Sequence, residues 1–157
     1  MNRDDVAQPD MSKAELFLRL FDEYSKSIMH DALATIEQWE RDNSDRPLSE
    51  AAERWANAVY LERETKDRDD RDFELNDARR LVVCYYHKLL ALGENGFLDG
   101  PLLDELKGFA GRELLLGPVK ELDFALEQAR HGTTRDGEAL YGRLERFFGE
   151  WLEDMSS

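Results

Sequence analysis

The chain has 157 residues, enough for one ordinary domain with its own core and too few for two substantial ones. Thirty-five acidic residues against twenty-one basic ones give a net charge of −14, which repels phosphate backbones and anionic lipid headgroups and speaks against nucleic acid or membrane as partner. Hydrophobic residues make up 41% of the sequence, with eight Phe, five Tyr and three Trp, so enough apolar surface is present to offset the entropy of folding.

Cys84 is the single cysteine, so neither an intramolecular disulfide nor a cysteine-based zinc site is expected within one chain. Residues 1–10 are polar and carry no apolar run of the kind a secretory signal needs. Nowhere do about 20 apolar residues follow one another, so no membrane span is expected and the cytoplasm is the expected location.

Ser12-Lys13-Ala14-Glu15 reads as a capping box opening a first helix. Phe17, Leu20, Tyr24, Ile28, Ala32, Ile36 and Trp39 recur at spacings of three and four, which predicts one long helix over 12–42 with a single buried stripe. After the turn-forming Asn43-Ser44-Asp45-Arg46-Pro47, Ser49 is the expected N-cap of a second helix bearing Ala52, Trp55, Ala56, Val59 and Tyr60. The almost wholly charged stretch 62–72 fits either a solvated helical extension or a loop.

Leu75, Ala78, Val82, Tyr85, Tyr86, Leu89 and Leu92 form the broadest stripe, that of a central helix. Asn95-Gly96 reads as its left-handed stop, with Phe97 expected to fold back on the last turn. Asp99 and Pro101 predict a short helix carrying Leu102, Leu103 and Leu106, limited by Gly108 and Gly111. Gly117-Pro118 is expected to start another, with Val119, Leu122, Ala125, Leu126 and Ala129 inward and Gly132 as its end. Leu140, Leu144, Phe147, Phe148, Trp151 and Leu152 give an amphipathic last helix, and no segment alternates with the period of a strand. The expected fold is all-α, an irregular bundle of five to six helices in a single domain over 12–155, after a flexible N-terminus over 1–11.

Ala78-Arg79-Arg80-Leu81 through Tyr85-Tyr86-His87, then Gly96-Phe97-Leu98-Asp99, then the helix from Pro118 and the final helix set a cadence over about half of the chain. In it the sequence resembles a bacterial domain-of-unknown-function family of small helical proteins. Members of that family often carry an N-terminal membrane helix, for which this sequence has no counterpart. The resemblance implies no activity and no catalytic residues.

Among constellations that carry chemistry, Glu37-x-x-Glu40 and Glu74-x-x-Asp77 resemble the paired carboxylates of all-α nucleotide pyrophosphohydrolases, where oxygens from facing helices hold Mg²⁺ against substrate phosphates. About eight acidic pairs at that spacing are expected by chance from this composition, so a solvated face is the competing explanation. His30-Asp31 resembles the metal pair of HD phosphohydrolases, but no histidine precedes it. Cys84 and His87 share a helical face and supply two soft ligands at most, so a buried cysteine beside a surface histidine is expected.

Phe147 and Phe148 are adjacent and point about 100° apart, so a single neighbour does not cover both. With Trp151 and Leu152 they are the candidate partner-binding residues, and a groove within the monomer is the expected cover for the rings. With no complete catalytic set, the expected function is a non-catalytic protein–protein interaction or regulatory module, without cofactor, acting on a protein partner or as a homodimer. The alternatives are a Mg²⁺-dependent all-α nucleotide pyrophosphohydrolase using Glu37, Glu40, Glu74 and Asp77, and an acidic nucleic-acid mimic.

Overall fold

The computed structural model describes the backbone of residues 4–65 and 70–156 and the side chains of 12–60 and 70–149. Eight α-helices follow in chain order: α1 Asp4–Ser25, α2 Ser27–Asp42, α3 Leu48–Thr65, α4 Asp70–Glu94, α5 Gly100–Lys107, α6 Gly111–Leu114, α7 Lys120–His131 and α8 Arg135–Ser156. A π-helical turn, Leu115–Val119, joins α6 to α7, and no strand occurs among the described residues. No described helix is long and apolar enough to cross a membrane.

The all-α expectation holds, and the helix number exceeds five to six because the helix over 12–42 is divided and the short α6 precedes the π turn; two local signals also differ from their sequence reading. The long helix over 12–42 is two helices. Lys26 takes extended backbone, φ −67° and ψ 148°, and its carbonyl accepts the first bonds of α2 from Met29 and His30. At that break Met29, 1% exposed, takes the inward place expected of Ile28, which is 62% exposed, while Ala32 and Ile36 stay buried as expected. The helix also starts N-terminal to the expected capping box, at Asp4, so Ser12 lies inside α1.

The second difference is at Gly117-Pro118, where a new helix start is expected and a continuous rod is found. Proline has no N–H and its ring clashes with the carbonyl four residues back in a regular helix. Widening the turn accommodates it, and the N–H of Lys120 donates to the carbonyl of Leu115, five residues back. Leu115, Pro118 and Val119 are buried by this device.

Elsewhere punctuation behaves as the residues dictate. Gly96, at φ +74°, ends α4, with its N–H on the Gly93 carbonyl and that of Phe97 on Leu92 at 3.0 Å. The Phe97 ring does not fold back: it is 63% exposed, and Leu98 takes the buried place. Helix α3 begins at Leu48, one residue before the expected cap, with Glu50 and Ala51 donating to the Pro47 carbonyl.

Helix α4 is the centre of the core. Val82, Tyr85, Tyr86, Leu89 and Leu90 are fully buried, and adjacent pairs such as Tyr85-Tyr86 point about 100° apart, so α4 is covered around much of its circumference. Its principal partner is α2, while α3 packs most extensively on α7. Helix α1 reaches α5 and α2, and α8 rests on α7, α5 and the π turn. One continuous cluster of buried side chains runs from Leu20 on α1 to Phe148 on α8.

Candidate functional site

Three features gather chemistry, and each is placed by the helices that carry it. The most buried is a polar network between α4, α7 and α8. The Arg79 guanidinium donates to Oδ1 of Asn76 at 2.9 and 3.1 Å and to Oδ1 of Asp123, and the Tyr141 hydroxyl donates to Oδ2 of Asp123. The Arg79 and Asp123 side chains are each 12% exposed. Burial raises the Asp123 carboxyl above the ordinary carboxylate range, against the opposing pull of Arg79 and Tyr141. Burial and then Asp123 hold the Tyr141 phenol well above its usual range.

Both carboxylate oxygens of Asp123 are thus engaged by side chains from two other helices, the geometry of a tie. Beside it lies a pocket of about 290 Å³ lined by Arg79, Asp123, Arg130, His131, Asp136 and Tyr141 among others. Glu127 on α7 accepts the N–H groups of Asp136 and Gly137 at 3.1 and 2.7 Å, capping α8 from a neighbouring helix. Sequence reasoning passed over Asp123 because one acid among 35 carries no local mark of burial. The available signal is its place between the buried Leu122 and the half-buried Phe124, with Arg79 set beside Ala78 of the α4 stripe.

The four carboxylates suggested as Mg²⁺ ligands do not converge. Glu37 and Glu40 line a groove with Glu113 on α6 and Pro118, whereas Glu74 and Asp77 face Asp31 and Thr35 across the seam between α2 and α4. Helix α2 places its two pairs of neighbours on different faces, and among the described residues no group of three or more His, Cys, Asp or Glu is arranged to hold a metal ion. His30 and Asp31 are both exposed, the His30 ring lying edge-on to Tyr24. Cys84, expected to be buried, is exposed, as is His87.

The last helix docks on its own chain. Phe148 is 1% exposed and meets Tyr86 edge to face at 5.7 Å, so it is a core residue and not an exposed anchor. Phe147 is half-buried: its ring lies over Gly93, where an added Cβ would come within 2.8 Å, and under the Lys107 ammonium, 3.9 Å from the ring centroid. The groove expected within the monomer is therefore built by α4 and α5. Trp151 and Leu152 lie outside the residues whose side chains are described.

The feature left open to solvent is the outer side of the α2/α4 seam. Ile28, Asp31, Ala32, Thr35, Gln38, Trp39 and Asp42 on α2 recur at helical spacing, and Arg71, Asp72, Glu74, Leu75, Asp77, Ala78 and Leu81 do so on α4. They line two hollows of about 270 and 680 Å³ that share Thr35 and Glu74 and so form one groove. Ile28 and the half-buried Leu81 supply apolar surface at one end, and the half-buried Trp39 supplies it at the other. No family model matches this chain, and searches of curated proteins and of solved structures find no match.

Proposed function

We propose that this chain is a non-catalytic interaction or regulatory module that binds a protein partner on the outer α2/α4 seam. The observation that supports this reading is Ile28, a large apolar side chain left 62% exposed at one end of a groove that continues to Trp39. The break at Lys26 turns Ile28 outward, and a surface isoleucine next to a concavity is the usual material of a recognition site. The other concentrations of chemistry serve the fold: Asp123 ties three helices, and Phe148 is core.

Light scattering together with affinity isolation from the native host tests the reading, using the full chain and Ile28→Glu. The expected result is a stoichiometric partner, or a second copy, retained by the native chain and released by the substitution while helix content is unchanged. A monomer that retains nothing and turns over a nucleotide panel with Mg²⁺ would overturn it.

A further inference from the structure

We infer that the occupant of the α2/α4 groove is a cationic amphipathic helix of a protein partner, its apolar face on Ile28 and the half-buried Leu81 and its Lys or Arg side chains on Asp31, Glu74 and Asp77. The inference rests on the interaction reading above and adds the chemistry of the partner. Its first support is the pattern of the walls. Asp31 on α2 and Glu74 and Asp77 on α4 line the same hollow as Ile28 and Leu81, so a carboxylate stands on each wall.

Its second support is how the charges are used. Some carboxylates of the described surface are taken up by the chain's own cations: Asp99 by Lys13, Asp22 by Lys26, Glu50 by Arg54, Glu23 by Lys88, Glu145 by Lys120 and Glu94 by Arg143. Asp31, Glu74 and Asp77 make no side-chain hydrogen bond or ion pair among the described residues. Three unpaired carboxylates around an apolar floor present negative potential to a partner that brings both apolar area and positive charge. A second copy of this chain is disfavoured as occupant, because its net charge is −14 and its own rim is acidic.

The length also fits. From Ile28 to Trp39 the α2 wall runs about 16 Å, three helical turns, which matches a ligand helix anchored at i, i+3 or i+4, and i+7. Such a helix buries its apolar stripe along the seam and places flanking Lys or Arg within reach of both rims.

The test uses the full chain and three labelled peptides of about four turns read by fluorescence anisotropy: a Leu/Lys amphipathic helix, the same apolar face with Glu for Lys, and the Leu/Lys composition in scrambled order. The expected result is binding of the first peptide only, weakened about tenfold or more by the triple variant Asp31→Lys, Glu74→Lys, Asp77→Lys and by raised salt. Ile28→Glu, which leaves those carboxylates in place, should also weaken it. All four positions are exposed, and circular dichroism of each variant checks that the fold is kept. Equal binding of the scrambled peptide, tighter binding of the Glu peptide, or an affinity untouched by the triple variant would each overturn the inference. A native partner that stays bound to the triple variant would overturn the cationic ligand while leaving the interaction reading in place. Loss of both peptide and partner binding in the native chain would overturn both.

Discussion

Removing the Asp123 carboxylate should be among the most costly single polar changes in this fold. In Asp123→Ala the Arg79 guanidinium, with a side chain 12% exposed, keeps Asn76 but loses its counter-charge, and the Tyr141 hydroxyl loses its acceptor. Breaking a buried pair from one side costs about 3–5 kcal/mol, and Asn76 plus the residual exposure place this case near the lower end, about 3 kcal/mol. For a chain of this length that corresponds to a fall in Tm of about 10 °C. By contrast Glu50→Ala, which opens an ion pair exposed on both sides, should cost less than about 1 kcal/mol.

The direction of the Asp123 titration refines the expectation. Burial outweighs the pull of Arg79, so its folded pKa is raised. Its contribution to stability is therefore fully present below the unfolded carboxylate pKa, about 3.9, and is lost as pH rises through the folded value. The pair is not a net gain over an apolar tie, and Arg79→Met, Asp123→Leu and Tyr141→Phe together should be less destabilising than Asp123→Ala alone. Urea unfolding followed by circular dichroism at neutral pH measures each variant. A loss below about 1 kcal/mol for Asp123→Ala, or a combined variant weaker than the single one, would refute the reasoning.

Gly111→Ala places a Cβ 2.8 Å from the buried Tyr86 hydroxyl and 3.1 Å from that of Tyr24, and overpacking there should cost about 1–3 kcal/mol. Gly142→Ala, inside α8 with nothing within 4 Å, should instead stabilise by about 0.5–1 kcal/mol in the same denaturant assay. Burial raises the phenols of Tyr85, Tyr86 and Tyr141, so above about pH 10 the unfolded chain ionises first, and stability should fall by up to about 1.4 kcal/mol per pH unit for each. Tyrosinate absorbance from these three should appear only with unfolding. Phe148→Ala should cost about 3–5 kcal/mol with an unfolding midpoint independent of protein concentration, since its ring is covered within one chain.

The legible part of the fold was that set by long, strongly periodic stripes. On α4 every residue from Leu75 to Leu89 assigned inward by spacing is buried, because a central helix is covered whichever neighbour it meets. The break at Lys26 escaped because apolar residues continue across it at nearly the right spacing. Its only local marks are Ser25 and Ser27, and the Ser25 hydroxyl does bond back to the Phe21 carbonyl at 2.8 Å, as serine at a helix end tends to. Gly117-Pro118 reads as a stop in isolation, and only packing of Leu115, Pro118 and Val119 into the core makes a widened turn the better solution. Phe97 and Cys84 went astray for a shared reason: hydrophobicity marks which residues are eligible for the core, while local geometry decides which neighbour takes the place, Leu98 in the first case. The groove was legible only in pieces. Glu74 and Asp77 drew attention as metal ligands, yet their use depends on Ile28 and Leu81, which join them only once α2 lies against α4.

Amide chemical-shift mapping of the full chain with the Leu/Lys amphipathic peptide tests the central claim most directly, because it reports where the ligand sits as well as that it binds. The account predicts perturbations concentrated along 28–39 of α2 and 74–81 of α4, saturating together, with α7 little affected. Perturbations spread over the acidic surface, or centred on the last helix around Phe147, would contradict it.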